Sequence, residues 1–407
     1  MHDSFCLCLF LVVITYYSLN SSLSVSAAMS DNNELIQWEL LPSEIVTNIL
    51  VRLPIKSIII CTCVSKAWKS LIQNPTFIST HLRYSHNKNL LFFNLWLENQ
   101  KEFYALHNED DEPDFTQHTS FDYPFLVPDP DAIFRVVGTC NGLLLCLSNN
   151  LTEGTSRLCL WNPSVRKLVN LPLTNFSSDA CIGFGFDRKT NDYKVVRVVK
   201  FMDRLDLRIY PLSTGEWRML RVGLAPICAL RHHEPHAFIN GALHWVASRV
   251  TDNKSLYFIL VFDLGGEVFR EILPPEPIGH TGMMSAFVSV YKDSIALIQK
   301  DYNDFLHIWV MKKYGVVSSW TKVLSLTISN QSYIFDSEDI PRVIGFRRNG
   351  EVVLKLDGGK LVSQDPESEV IKDLRIIGNK NTFVDPYVES LVLLDKAANR
   401  VVTYWRN

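Results

Sequence analysis

Cysteine pairs, basic excess and long apolar runs are all in short supply in this 407-residue chain, and each shortage removes a class of protein. The nine cysteines (Cys6, Cys8, Cys61, Cys63, Cys140, Cys146, Cys159, Cys181 and Cys228) are odd in number and leave the last 179 residues with none. A disulfide framework would not leave nearly half a chain unstapled, so they read as reduced thiols packed as small buried hydrophobes. Lys and Arg number 40 against 43 Asp and Glu, a net charge of −3 with a pI near 6.4. The missing basic stripe argues against a general DNA or RNA binder. The apolar run at residues 5–14 is too short to span a bilayer, so no stable membrane insertion is expected. Catalytic signatures are missing too: there is no G-x-S-x-G elbow, no H-E-x-x-H and no paired-carboxylate motif. No catalytic residue, cofactor or metal is expected.

What is present is 47% hydrophobic residues against 20% charged, a globular balance over a length that holds two or three domains. From about residue 89, short runs of Val, Ile, Leu, Phe and Tyr alternate with turn dipeptides, which is the pattern of an all-β region. Asn141-Gly142, Asn191-Asp192, Asn240-Gly241, Lys292-Asp293 and Asn349-Gly350 each precede an apolar strand, at spacings of 50, 49, 52 and 57 residues. Each leads to a second hairpin, turning at Asn162-Pro163, Thr214-Gly215, Gly265-Gly266, Tyr314-Gly315 and Asp365-Pro366. Two hairpins per period make one four-stranded blade, and repeated blades make a β-propeller. Five blades are expected between residues 133 and 378. A sixth would combine the C-terminal segments 389–395 and 399–405 with the N-terminal segments 89–95 and 101–107, so that deleting residues 401–405 should unfold the ring. A β-sandwich also has many short strands, but it gives no reason for two hairpin types to alternate at a fixed period.

Residues 41–82 are of another kind. Ile45, Ile49 and Leu53 recur every four residues after Leu41-Pro42, the stripe of one helix face, and Pro54 stops that helix. A second short helix follows from about Lys56. A third carries Val64, Trp68, Leu71 and Ile72, and Asn74-Pro75 ends it. Three short helices cannot bury all these apolar side chains against one another, so the surplus implies a partner surface. Residues 41–85 carry five Lys or Arg against one Glu, a local positive charge that would steer an acidic partner.

The residues Leu41-Pro42, Ile45, Ile49-Leu50, Leu53-Pro54, Lys56-Ser57, Val64-Ser65-Lys66, Trp68, Leu71-Ile72, Pro75, Phe77 and His81-Leu82 resemble an F-box of the plant type. After Ile58, where that family usually shows a basic residue, this chain reads Ile59, Ile60, Cys61, Thr62, Cys63. A second resemblance runs through GTCNGLLLCL, LWNPSVRKLVNLP, GFGFDRKTNDYKVVRVV, INGALHWVA, FDLGGEVFREILPP, IWVMKKYGVVSSWTKV and YVESLVLL, which look like the plant F-box-associated domain, kelch-like in its blades, of the branch related to self-incompatibility-locus and defence-regulating F-box proteins. Together they imply an α+β multidomain chain: a small three-helix F-box at residues 41–85 followed by an all-β propeller of six blades at residues 89–407. They further imply a non-catalytic, substrate-recognition subunit of a ubiquitin ligase, docked on a SKP-family adaptor and through it on cullin and RING subunits, with a client protein held by the propeller. Adaptor contact is implied for Leu41, Pro42, Ile45, Ile49, Leu53, Pro54, Ile58, Val64 and Trp68. Client contact is expected in inter-strand loops, with candidates before Arg135 and around residues 175–180, 231–235 and 275–282. Two rival readings stay open: an F-box scaffold with no degradation client, and a secretory propeller binder or enzyme.

The second rival follows from residues 1–28, where the apolar run and Val25-Ser26-Ala27 look like a signal peptide, although no Lys or Arg precedes the run and Asp3 does. An F-box in the secretory lumen would never meet a cytosolic adaptor. Met29 offers a start just before a polar leader at residues 29–40, and translation from there would place the protein in the cytoplasm or nucleus. Four further features invite chemistry and are assigned bland roles. The histidine cluster at residues 231–236 is interrupted by Pro235 and reads as a solvated loop before a strand at His236–Ile239. Gly183-Phe184-Gly185-Phe186-Asp187 lacks the P-loop lysine and reads as a blade's inner strand, its glycines letting backbones crowd near the axis. The acidic run at residues 109–114 reads as a solvated loop, and Cys61 and Cys63 as core.

Overall fold

The computed structural model describes residues 43–85, 90–96, 102–109, 115, 117–122, 132–150, 155–172, 180–201, 204–220, 228–230, 236–251, 254–275, 285–301, 305–327, 342–378, 382–395 and 401–403. Four helices open it: α1 (Ser43–Leu50), α2 (Ile55–Cys61), α3 (Lys66–Ile72) and α4 (Pro75–Ser85). The helix beyond the expected three arises at Asn74-Pro75, which ends α3 and also opens α4. Asn74 Oδ1 accepts the Thr76 N–H at 2.8 Å, and a proline in the first helical position forfeits no hydrogen bond. Pro54 plays a similar part before α2, with φ of −57° at its N-cap. The Ser65 and Trp68 spacing also has a local cause, because the Ser65 hydroxyl caps α3 by accepting the Trp68 N–H at 3.1 Å.

Six antiparallel sheets follow. The second blade comprises Ala132–Cys140, Leu143–Asn150, Thr155–Asn162 and Lys167–Asn170, and the third comprises Cys181–Asp187, Asp192–Phe201, Arg204–Pro211 and Arg218–Met219. In the fourth, Ala237–Ile239 and Ala229–Leu230 both pair with Ala242–Thr251, followed by Lys254–Asp263 and Val268–Ile272. The fifth is Ser285–Tyr291, Ser294–Lys300, Phe305–Met311 and Trp320–Thr327; the sixth is Arg342–Phe346, Val352–Lys355, Lys360–Gln364 and Ile371–Ile377. The first blade is composite: the late strand Phe383–Tyr387 forms its inner edge, and Leu90–Trp96, Glu102–Asn108 and Gln117–Asp122 complete it. That inner strand touches the inner strands of the second and sixth blades, which closes the ring.

The two chain ends therefore meet in one blade as expected, with the N-terminal strands where they were expected but other residues supplying the C-terminal strand. Residues 389–395 form no strand, and Val401–Thr403 joins the second blade, pairing with Lys167–Asn170 as an outer fifth strand. The expectation that residues 401–405 close the ring is thus corrected: Phe383–Tyr387 does so. Periodic apolar residues made 389–395 look like a strand, yet the carbonyls of Ser390, Val392, Leu393 and Leu394 are taken by side chains of other elements.

The turn residues behave as the sequence suggests, since Asn141, Asn191 and Asn240 all hold φ between 51° and 53°, a region asparagine tolerates. The glycines of the third inner strand have a different cause from crowded backbones. A Cβ at Gly183 would stand 2.6 Å from Trp245 Cζ2, and one at Gly185 would run into the Phe238 ring, so the fourth blade's aromatics fill the space that glycine leaves. Between the first and second blades Phe92, Tyr104, Trp161 and Tyr387 pack ring to ring, with Tyr104 and Trp161 centroids 4.7 Å apart.

Candidate functional site

In every complete blade the inner strand turns into the second, and the third into the outer, at one end of the ring; the other connections lie at the opposite end. The helices occupy the first of these ends. Val46, Leu50, Leu53, Ile58 and Ile72 share one contiguous apolar core with Leu143 and Val165, at those turns of the second blade, and with Tyr193 and Tyr210 of the third.

This packing divides the nine residues implied in adaptor contact. Helix α1 buries Val46 and Leu50, which leaves Ile45 47% exposed and Ile49 half-buried. Pro54 is exposed; Val64 and Trp68 are half-buried. Leu53 (4% exposed) and Ile58 (0%) lie inside the shared core, where they hold the helices rather than face a partner. Leu41 and Pro42 lie outside the described residues. Ile60, not among the nine, is 49% exposed, and its signal was the apolar stretch after Ile58. The same helical module carries Arg52, Lys56, Lys66, Lys69 and Arg83, all exposed, so it combines exposed apolar side chains with positive charge. Cys61 is buried as expected, whereas Cys63 is exposed: two residues apart on and just after α2, they point to different sides.

Other sequence features take structural places. His236 is drawn into the ring, where its Nε2 accepts the Phe184 N–H at 3.0 Å and burial pushes the imidazole down to about 4. It stands one residue before the strand Ala237–Ile239, about where that strand was expected to begin, and residues 231–235 lie outside the described ones. Glu109 is likewise not solvated: its carboxylate accepts the Arg348 N–H at 3.0 Å, and its carbonyl accepts from Arg347 at 2.7 Å. Arg347 also reaches Glu351 at 2.6 Å, so an ionic seam joins the sixth blade to the first. A similar seam joins the third to the fourth, where Lys194 lies 2.7 Å from Asp187 and 2.9 Å from Glu267. Burial alone would raise the Asp187 carboxyl, but its bonds from Lys194 and Thr190 hold it below the usual range. The described cysteines other than Cys63 are buried, and burial pushes the Cys181 thiol up to about 12.

The sequence offered no clear signal for the grip on residues 389–395. Asn162 Nδ2 donates to Ser390 O at 3.0 Å, Ser390 Oγ at 3.1 Å and Val392 O at 2.8 Å. Lys167 Nζ donates to Leu393 O at 3.1 Å and Leu394 O at 3.0 Å, and Gln73 Nε2 of the helical module reaches Leu394 O at 3.1 Å.

Helical module and ring each have recognisable counterparts. Residues 38–80 match the F-box domain, and residues 101–394 match the F-box associated beta propeller domain. The chain belongs to the F-box-associated β-propeller family. Over 87% of its length it is 28% identical to F-box protein CPR1 of Arabidopsis thaliana, covering 89% of that protein. Over 85% it is 29% identical to the same plant's F-box protein At3g07870, again covering 89%. Its similarity to the F-box/kelch-repeat protein At3g23880 of Arabidopsis thaliana is 26% over 70% of this chain and 79% of that one. Among the described residues of this F-box protein, no helix is long and apolar enough to cross a membrane.

Proposed function

We propose that this F-box protein is the substrate-recognition subunit of a Skp–cullin–F-box ubiquitin ligase, with the SKP-family adaptor on the helices and a client protein on the far end of the propeller. The observation that carries the reading is the placement of the two surfaces. The F-box packs on the end where inner strands turn into second strands, with Ile45 and Ile60 exposed on helices of a module that also carries exposed basic side chains. Of the four stretches expected to hold a client, those before Arg135 and around residues 175–180 and 275–282 fall between an outer strand and the next inner strand, whose facing ends lie opposite the F-box, whereas 231–235 falls between Ala229–Leu230 and Ala237–Ile239 on the fourth blade's inner edge. A client there stands clear of the adaptor. Ligase chemistry is then supplied by the charged enzyme of the complex, and this chain contributes proximity, which raises the effective concentration of client lysines.

The test is capture of a plant SKP-family adaptor by the full chain. Ile45→Asp, a change on an exposed surface, should lower capture at least about tenfold, as loss of an apolar anchor does, while the propeller's circular dichroism stays unchanged. Undiminished capture by the folded variant would refute the docking assignment.

A further inference from the structure

Residues 388–395 run from the first blade to the second beneath the F-box, and both flanks are held in sheets. Upstream, Phe383–Tyr387 is the inner strand of the first blade; downstream, Val401–Thr403 pairs with the outer strand of the second. Between these anchors the segment lies in the shared core: Leu391 and Leu393 are 0% exposed, in one cluster with Leu50, Leu53 and Ile72 of the helices. Its backbone is bound from both modules. Asn162, itself fully buried, donates to Ser390 and Val392 of the segment, Lys167 to Leu393 and Leu394, and Gln73 of the F-box to the same Leu394 carbonyl. A peptide carbonyl shared by Lys167 of the propeller and Gln73 of the F-box fixes the two against each other in position as well as proximity.

We infer that residues 388–395 are a latch that locks the F-box to the propeller at one angle, with Asn162 as the positioning residue that holds it. Modules joined through a small or polar interface reorient by default, and a large apolar one with directed hydrogen bonds suppresses that motion. In the ligase reading, on which the use of the latch rests, it sets where the client end points relative to the adaptor. The C-terminal part of the chain thereby controls the geometry of a module near the N-terminus.

The experiment is a distance measurement between spin labels in the full chain. One label is carried by Cys63, which is exposed on the F-box, and the other by a cysteine in place of Val250, 76% exposed at the far end of the fourth blade, with Cys6 and Cys8 changed to Ser. A narrow distribution is expected in the parent and one about twofold broader in Asn162→Leu, with amide protection of the propeller strands retained. Should Asn162→Leu fail to fold, Gln73→Ala combined with Lys167→Met removes the other three bonds and should broaden the distribution likewise. A broad distribution in the parent, or narrow ones in the folded variants, would overturn the latch. Adaptor capture by the same proteins reports separately on the ligase reading, because the latch residues do not include the exposed side chains of the docking surface.

Discussion

Asp385 shows how much one buried side chain responds to the ring around it. It lies on the ring-closing strand, Thr139 of the second blade donates to its carboxylate, and burial pushes it up to about 7 against the opposing pull of Thr139 and Arg348. Such a carboxyl binds its proton more tightly folded than unfolded, so its contribution is intact below the ordinary value of 3.8 and is lost as the pH rises to about 7. His236 and His244 act in the other sense. Burial takes both from 6.5 down to about 4, and the unfolded chain gains protons across that window that the folded one refuses. His107, also lowered by burial, acts in the same sense, so the histidines outweigh the one carboxyl there and the net loss is at least about 1.4 kcal/mol of stability per pH unit of acidification. Asp385→Asn removes the opposing contribution, so the loss should steepen by about 1.4 kcal/mol per pH unit. Urea unfolding midpoints of both proteins between pH 4.5 and 6.5 check this, and parallel profiles would contradict it. The environments of Asp385, His236 and His244 are not local: Thr139, Phe184 and Ala237 reach these groups from other strands.

At the scale of elements, legibility followed the range of the forces. Turn asparagines could be read because their determinants lie within four residues, and the two-hairpin period followed from them. Residues 389–395 were misread because an apolar run looks the same whether it enters a sheet or a shared core. The structure accordingly reverses one expectation. Among the described residues, removing 396–407 deletes a three-residue outer strand and should cost about 1–2 kcal/mol, with the propeller still folded. Removing residues 379–407 also deletes the ring-closing strand and should yield no cooperative unfolding at all. Urea titration of both truncations is the measurement. Two indoles clasp neighbouring blades at their outer rims, Trp217 donating to Pro172 O and Trp320 to Leu273 O, each at 3.0 Å. Replacing either with Phe should lower stability by about 1 kcal/mol, read from the shift in urea midpoint.

The whole molecule behaves as one body because the F-box has no core of its own. Its buried residues are continuous with those of the second and third blades, so helices and ring should melt in a single calorimetric transition. Two separate transitions in the full chain would contradict that continuity, and Asn162→Leu should bring them closer to separation. By itself the sequence determined the two modules, their order, the blade period and the F-box character of residues 41–82, because each depends on short-range patterns of apolar spacing and turn chemistry. Tertiary structure alone decided which strand closes the ring, which of the apolar residues on the helices face inward, and that residues 388–395 lie between the modules. The physical reason is that an apolar side chain specifies burial without naming its partner. Partner choice came from contacts as far apart in the chain as Gln73 and Leu394.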